Sequence, residues 1–223
     1  MFKHFVFITF LILLLSACSS RSPLKTIAEN QPKNVVAQTI TQRNQQMRQL
    51  LHWSISGKIA FIEKNKKRQS ATLKWTYNAS NRNDEINNNL QQQIDLTTFL
   101  GINLLHLESN NNKHLIKVNR KKYQGNNLNT MIYRLTGFKL PTKALSFWLK
   151  GIAYKNTDKL SYQPNNNKNT SLPLTLESDY YQQKWHISYD QFKLFNGYQL
   201  PTKLTIKQAD LTIKIAINQW GIL

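Results

Sequence analysis

The segment WSISGKIAF, residues 53–61, alternates apolar side chains such as Trp53 and Ile55 with small or polar ones. A period of two residues is typical of a β-strand that buries one of its faces. A charged segment at residues 63–67 follows, and residues 71–77 then repeat the alternation. Two alternating runs joined by a short polar segment predict an antiparallel hairpin.

Similar alternation continues along the chain. Further strands are predicted at residues 92–97, 102–108, 113–119, 185–189, 203–208 and 211–220. Helical spacing of apolar residues predicts three helices: residues 33–51, a segment from Leu128 that ends at Gly137, and a segment after Pro141 that ends at Gly151. The sequence therefore predicts one α+β domain, in which a few helices cover one side of a large antiparallel sheet.

The N-terminus has a basic start, an apolar run and the tetrapeptide LSAC that ends at Cys18. This arrangement resembles a bacterial lipoprotein signal, in which the peptide is cut before a lipidated cysteine. The alternative is a spare thiol that happens to follow a signal. We therefore expect a signal peptide at residues 1–17, a flexible lipid-anchored tether at 18–32 and a folded domain at 33–223. Ser19, where sorting signals for the inner membrane have Asp, indicates the outer membrane and its periplasmic side.

The chain of 223 residues carries a formal net charge of +19. Such a charge attracts anionic partners from a distance. Because an exported lipoprotein rarely meets nucleic acid, we expect anionic lipid headgroups or an acidic protein as partners, and no nucleic acid. A role in solubility alone is the competing interpretation.

Motifs for catalysis are missing from the sequence. It contains no HExxH, GxSxG, phosphate-binding loop or dinucleotide-binding glycine pattern, and its five histidines are scattered. The single cysteine, Cys18, is expected to carry lipid and so is no nucleophile. We predict a protein that is not an enzyme, with no catalytic residues, metal or cofactor.

Several short motifs occur together in one order. They are WxIxGKIAF from Trp53, AxLxW from Ala71, FLG from Phe99, LTG from Leu135, LP from Leu140, WLxG from Trp148, WxIxY from Trp185 and LP from Leu200. As an ordered set they resemble the LolB outer-membrane lipoprotein receptors. The resemblance implies a half-open antiparallel β-barrel of about eleven strands, of LolA/LolB type, with helices covering an apolar cavity.

The same resemblance implies two sites. One is a membrane-insertion loop at Phe99, Leu100 and Gly101, where the family usually has proline before the leucine and this chain has Phe99. The alternative is that Phe99 and Leu100 fold back into the core. The other site is an acyl-chain cavity, for which we name Leu73, Trp75, Met131, Leu135, Leu145, Trp148, Trp185, Ile187 and Ile206.

The implied function is that of a monomeric receptor, anchored to the outer membrane by lipid on Cys18. It accepts the acyl chains of lipoproteins from LolA, the soluble periplasmic carrier, and inserts them into the outer membrane. Two other interpretations stay open: a lipid-anchored protein that binds phospholipid or lipopolysaccharide, and a structural lipoprotein that uses its sheet only as a core.

Overall fold

A computed structural model describes residues 39–64, 68–81, 90–137, 140–164 and 172–222. They belong to one compact unit, Ala37–Leu223. The predicted signal peptide, Cys18, the tether and residues 33–38 of the first predicted helix lie outside the described residues.

The described chain forms one antiparallel sheet and three helices. The strands are β1 (His52–Glu63), β2 (Gln69–Asn78), β3 (Gln91–Thr97), β4 (Asn103–Asn110), β5 (Lys113–Val118), β6 (Lys121–Gly125), β7 (Lys159–Tyr162), β8 (Pro173–Tyr180), β9 (Gln183–Phe195), β10 (Tyr198–Gln208) and β11 (Leu211–Ile222). The helices are α1 (Ile40–Gln49), α2 (Leu128–Thr136) and α3 (Thr142–Leu149).

The eleven strands follow the order β6-β5-β4-β3-β2-β1-β11-β10-β9-β8-β7. The chain therefore enters the middle of the sheet with β1, runs strand by strand to the edge at β6, and passes through α2 and α3 to the other edge at β7. It then returns to the middle with β11, which pairs with β1. Over the described residues the two edges do not pair with each other, so the sheet stays open. The expected half-open antiparallel barrel is confirmed.

All eight predicted strands are present, several of them longer than predicted, and β6, β7 and β8 were not predicted. In β6 four of the five residues are exposed, so no apolar alternation marks it. β7 has only four residues and lies at the other edge of the sheet. Edge strands need not bury a face, and a short polar edge also resists pairing with other chains.

One face of the sheet, which we call the inner face, carries the core. Trp53 of β1 lies at its centre: its ring stacks on Tyr77 at 4.9 Å between centroids and is tilted against Trp75 at 5.3 Å and Trp220 at 5.4 Å. These rings come from three adjacent strands, because β2, β1 and β11 are neighbours in the sheet. Aromatic pairs in such arrangements add stability beyond the apolar area they bury.

A buried arginine joins α1 to the rest of the domain. Arg43 donates hydrogen bonds to the carbonyl oxygens of Gly151 and Lys150, each at 3.0 Å. Burial lowers the pKa of Arg43 to about 10, so the guanidinium still carries its charge at neutral pH. The guanidinium also lies over the ring of Phe192, with its carbon 5.9 Å from the ring centroid. Helix α1 is thus fixed to the turn that follows α3.

The glycine of the opening segment has a structural role. β11 has one extra residue, Asn218, where the register shifts beside Gly57. A Cβ atom on Gly57 would lie 2.1 Å from the carbonyl oxygen of Ala216 and 2.9 Å from the Cα of Ile217. Both are backbone atoms, so β11 would have to move away from β1 at the centre of the sheet.

We predict that Gly57→Ala destabilises the domain by about 2–4 kcal/mol, because the two central strands must separate locally to admit the methyl group. The neighbouring Ser56→Ala serves as the control and should change the free energy of unfolding by less than about 1 kcal/mol. Chemical denaturation followed by circular dichroism measures both variants. Equal stability of the two would contradict the close approach at Gly57.

Candidate functional site

Six of the nine predicted cavity residues lie together in the main buried cluster. They are Leu73, Trp75, Trp148, Trp185, Ile187 and Ile206. A seventh, Leu145, is half-buried and packs against this cluster. The six come from β2, β9, β10 and α3, so the sheet and one helix bring together residues that are far apart in sequence.

Helix α3 supplies the cover of the inner face. Trp148 is fully buried and lies 5.7 Å from Trp185 and 6.5 Å from Tyr180 between ring centroids. The hydroxyl of Tyr189 donates a hydrogen bond of 2.9 Å to the carbonyl oxygen of Trp148, and burial raises the pKa of Tyr189. The helix is therefore held against the sheet by one polar contact and a large apolar one.

The other two predicted cavity residues, Met131 and Leu135, belong to a second cluster. They are half-buried on α2 and pack against Leu107, Ile116 and their neighbours on β4 and β5. The predicted cavity set is thus divided between two parts of the inner face. Leu140 packs against both clusters and lies between them.

Four tryptophans of the main cluster bury an unused donor. The indole N–H groups of Trp53, Trp75, Trp148 and Trp185 have no hydrogen-bond acceptor among the described residues. By contrast, Trp220 donates to the carbonyl oxygen of Pro201 at 2.9 Å. An unsatisfied buried donor costs roughly 1–3 kcal/mol, so this apolar cluster retains a capacity to bind acceptor atoms.

The loop between β3 and β4 presents apolar side chains to solvent. Phe99 is 91% exposed, Leu100 72% and Ile102 61%. The loop is a defined turn, because the Gly101 N–H donates to the Thr98 carbonyl at 3.0 Å and the Thr98 N–H to the Ile102 carbonyl at 2.8 Å. Gly101 has φ +82°, a left-handed conformation that glycine adopts without strain. The alternative in which Phe99 and Leu100 fold back into the core is wrong.

A charged cluster braces the hairpin that carries this loop. His106 of β4 is directly opposite Asp95 of β3, with 2.6 Å between Nδ1 and Oδ1, and its Nε2 contacts Glu108. Burial alone would lower the pKa of His106, but the hydrogen bonds to both carboxylates outweigh it and raise that pKa. The imidazolium in turn lowers the pKa of Asp95 against the effect of burial, and lowers that of Glu108.

A groove of about 830 Å³ lies beside the loop. Its lining includes Phe99, Leu100 and Ile102 at one end and lysines of β1, β10 and β11 along its length. None of the nine predicted cavity residues lines it. Sequence reasoning missed this groove, although the alternation of lysine with alanine in β1 and β11 marks the strand face from which it is built.

The described part of the chain lacks a metal site and a membrane-spanning helix. Over residues 39–64, 68–81, 90–137, 140–164 and 172–222, no group of three or more His, Cys, Asp or Glu is placed to hold a metal ion. Within the same ranges, no helix has both the length and the apolar character needed to cross a bilayer.

The open antiparallel sheet whose inner face is covered by helices is a fold that other solved structures share. A LolA superfamily protein from Nitrosomonas europaea superposes with a TM-score of 0.52 at 8% identity, over 85% of this chain and 94% of that one. A DUF1329 family protein from Desulfovibrio piger gives a TM-score of 0.53 at 8% identity, over 82% and 90%. At these identities the likeness concerns the fold alone.

The sequence narrows the class to one family. The family model described as Outer membrane lipoprotein LolB matches residues 51–220. The outer-membrane lipoprotein LolB of Pseudoalteromonas translucida is 30% identical over 98% of this chain and 94% of its own length, and that of Psychromonas ingrahamii is 30% identical over 98% and 96%. The chain belongs to the LolB family of outer-membrane lipoproteins.

The charged cluster on the hairpin predicts a pH dependence. The stabilisation from the raised pKa of His106 is present below its unfolded-state value and is lost as pH rises through the folded value. The stabilisation from the lowered pKa values of Asp95 and Glu108 is present above their unfolded values and is lost as pH falls. All three groups are charged together between about pH 4.5 and 6.5.

We therefore expect His106→Gln to destabilise the domain more at pH 5.5 than at pH 8.5. The difference should be below about 1 kcal/mol, because the cluster is partly exposed and solvent screens it. Denaturant unfolding of wild type and variant at both pH values measures it, with His52→Gln, at an exposed position of β1, as the control. A destabilisation that does not depend on pH would contradict an ion-paired His106.

Proposed function

We propose that this protein accepts the acyl chains of lipoproteins from a LolA-like periplasmic carrier and inserts them into the outer membrane. The observation that carries the proposal is the pair of exposed apolar side chains, Phe99 and Leu100, on a well-defined turn of a domain with a large apolar core. Membership of the LolB family supports it.

The interior provides the first half of the function. Acyl chains bind by apolar contact and need few polar partners. The side chains around Trp148 and Trp185 are in contact with one another, so an acyl chain has to take the place of one of them. Helix α3 is the element that can be displaced. Over the described residues it is held to the sheet by apolar packing and a hydrogen bond from Tyr189, and to α2 by a hydrogen bond from Thr142 to Asn129.

The unused indole donors fit the same ligand. A lipidated cysteine joins its acyl chains through ester and amide groups, whose carbonyl oxygens are acceptors. Trp148 and Trp185 present buried N–H groups that have no acceptor among the described residues, in the part of the interior that α3 covers. Hydrogen bonds to these carbonyls would offset the cost of the unsatisfied donors.

The loop provides the second half. Large apolar side chains fully exposed to water are uncommon unless they contact an apolar partner. Transfer of Phe99 and Leu100 into the bilayer interface would gain on the order of 3–5 kcal/mol. This gain would bring the end of the domain that carries the loop to the membrane. Because the transfer uses no nucleotide, cargo moves from the carrier to the receptor and then to the bilayer in the direction of increasing affinity.

Lipid on Cys18 has a different task in this proposal. It keeps the domain at the periplasmic face of the outer membrane, while the folded domain does the binding as a monomer. Each buried methylene contributes about 0.8 kcal/mol, so several acyl chains give stable attachment. The domain itself then needs only a transient contact with the bilayer.

The decisive variant is Leu100→Glu. We expect it to accept lipoprotein from the carrier as wild type does, but to release cargo into liposomes at least tenfold more slowly, because a carboxylate cannot enter the apolar layer. The assay uses the unlipidated protein, residues 19–223. It measures transfer of a labelled lipoprotein first from the loaded carrier to this protein and then from this protein to vesicles. Leu174→Glu is the matched control, since Leu174 is also an exposed leucine but lies on β8, 42% exposed.

Normal release by Leu100→Glu would contradict the role of the loop. Failure of wild type to accept lipoprotein, together with phospholipid or lipopolysaccharide retained on purification, would favour a binding protein for those lipids. Failure to retain any of these ligands would favour a structural lipoprotein.

A further inference from the structure

The groove beside the loop is built on the outer face of the sheet, opposite the core. Lys58, Lys203 and Lys214 are exposed there, whereas their chain neighbours Gly57, Leu204 and Ile215 are buried on the inner face. Because side chains alternate between the faces of a strand, the three lysines share one face of β1, β10 and β11.

The register of the sheet brings the three lysines close together. Lys58 and Lys203 are both opposite Ala216, one on each side of β11, so their backbones are about two strand spacings, ~10 Å, apart. Lys214 lies two residues from Ala216 along β11, at about 7 Å. Three lysine residues on one face of the sheet therefore lie around one alanine.

Small side chains make the floor of this groove. Ala60, Ser70 and Ala216 line it between the lysines, and none of them is long enough to fill the space. The resulting volume of about 830 Å³ is in the range of small-molecule sites. The groove is thus a shallow basin with cations at its rim.

The charge of the groove is strongly one-sided. Lys58, Arg68, Lys203 and Lys214 line it together with one carboxylate, Asp190. Among the described residues, no carboxylate forms an ion pair with any of the three lysines. The cations are therefore available to a ligand that is an anion.

The groove is continuous with the apolar loop. Phe99, Leu100 and Ile102 line its end, where they are exposed to solvent. Apolar side chains beside lysines form the pattern by which proteins bind membrane surfaces, because the apolar groups enter the acyl layer while the cations stay at the level of the phosphates. Of all anions, a lipid headgroup is the one that accompanies an acyl layer.

We propose that this groove binds the phosphate headgroup of an anionic phospholipid in the membrane that the loop enters. The inference rests on the proposed function, because it takes the loop to be at the bilayer. It adds a lipid class, a binding site and a shared role for three residues, Lys58, Lys203 and Lys214, of which Lys58 alone belongs to a family motif.

The test uses residues 19–223 without lipid, which include the whole compact unit Ala37–Leu223. Binding is measured by co-sedimentation with phosphatidylcholine vesicles with and without phosphatidylglycerol. The variant carries Lys58→Gln, Lys203→Gln and Lys214→Gln. The control carries Lys113→Gln, Lys121→Gln and Lys159→Gln, which remove the same charge from exposed positions on β5, β6 and β7.

Each lysine at an anionic membrane strengthens binding roughly fivefold, so three correspond to roughly a hundredfold. We expect the groove variant to lose more than tenfold of its affinity for the anionic vesicles and the control to lose less than threefold. Equal losses would mean that binding depends on net charge alone and would overturn the proposal.

A second measurement locates the ligand. Titration with the short-chain lipid dihexanoylphosphatidylglycerol should shift the backbone amide resonances of Ala60 and Ala216 in a saturable way. Unchanged resonances would overturn the site. Equal shifts with inorganic phosphate at the same concentrations would identify a free-anion site and would overturn the lipid headgroup as its occupant.

Failure of this inference is distinguishable from failure of the proposed function. If the groove variant loses vesicle binding while Leu100→Glu releases cargo normally, the groove stands and the role of the loop is wrong. If Leu100→Glu blocks release while the groove variant binds vesicles as the control does, the loop stands and the groove is wrong.

Discussion

An open sheet with one strongly apolar face has to be covered, and the rest of this structure depends on how that is done. The inner face carries four of the five tryptophans of the chain and α3 supplies the fifth, Trp148; each is at most 6% exposed. Helices α1 and α3 cover the main cluster on this face, where Trp148 of α3 packs against Trp185. A helix that is held by apolar contacts can be displaced by another apolar group of similar size. In the proposed function, acyl chains use the same apolar packing that stabilises the fold.

The two ends of α3 are held differently. Beyond its C-terminus, Arg43 binds the carbonyls of Lys150 and Gly151, and the Lys150 ammonium donates to the Leu50 carbonyl at 3.2 Å. At its N-terminus, the N-cap Pro141 provides no side-chain hydrogen bond, and the hydroxyl of Thr142 donates to the side-chain oxygen of Asn129 on α2 at 2.7 Å. Since Arg43 comes from α1, the two covering helices are joined at one end only. Movement of α3 about that joined end would have to break the hydrogen bond between Thr142 and Asn129 or carry α2 with it.

The sequence predicts most of the sheet but only part of the site. Apolar alternation marks strands that bury one face, and it fails for β8, where Ser178 is buried because its hydroxyl donates to Asp158 at 2.6 Å. Arg43 was equally hidden, since its acceptors lie more than 100 residues away in the chain. The loop at Phe99 and Leu100 was predictable because apolar residues stand where turn residues are usual. The groove was not, since it depends on the register of four strands.

Intrinsic fluorescence directly tests the proposed entry of acyl chains among the tryptophans of the inner face. Bromine atoms quench indole fluorescence only at contact distance, and all five tryptophans lie in the main cluster. Residues 19–223 would be mixed with a lipopeptide whose acyl chains carry bromine, and with its unbrominated counterpart. We expect strong, saturable quenching by the brominated ligand only. The quenching should be weaker in Trp148→Phe and unchanged in Leu100→Glu. Binding of the brominated lipopeptide without quenching would place the acyl chains elsewhere and would contradict their entry among the tryptophans.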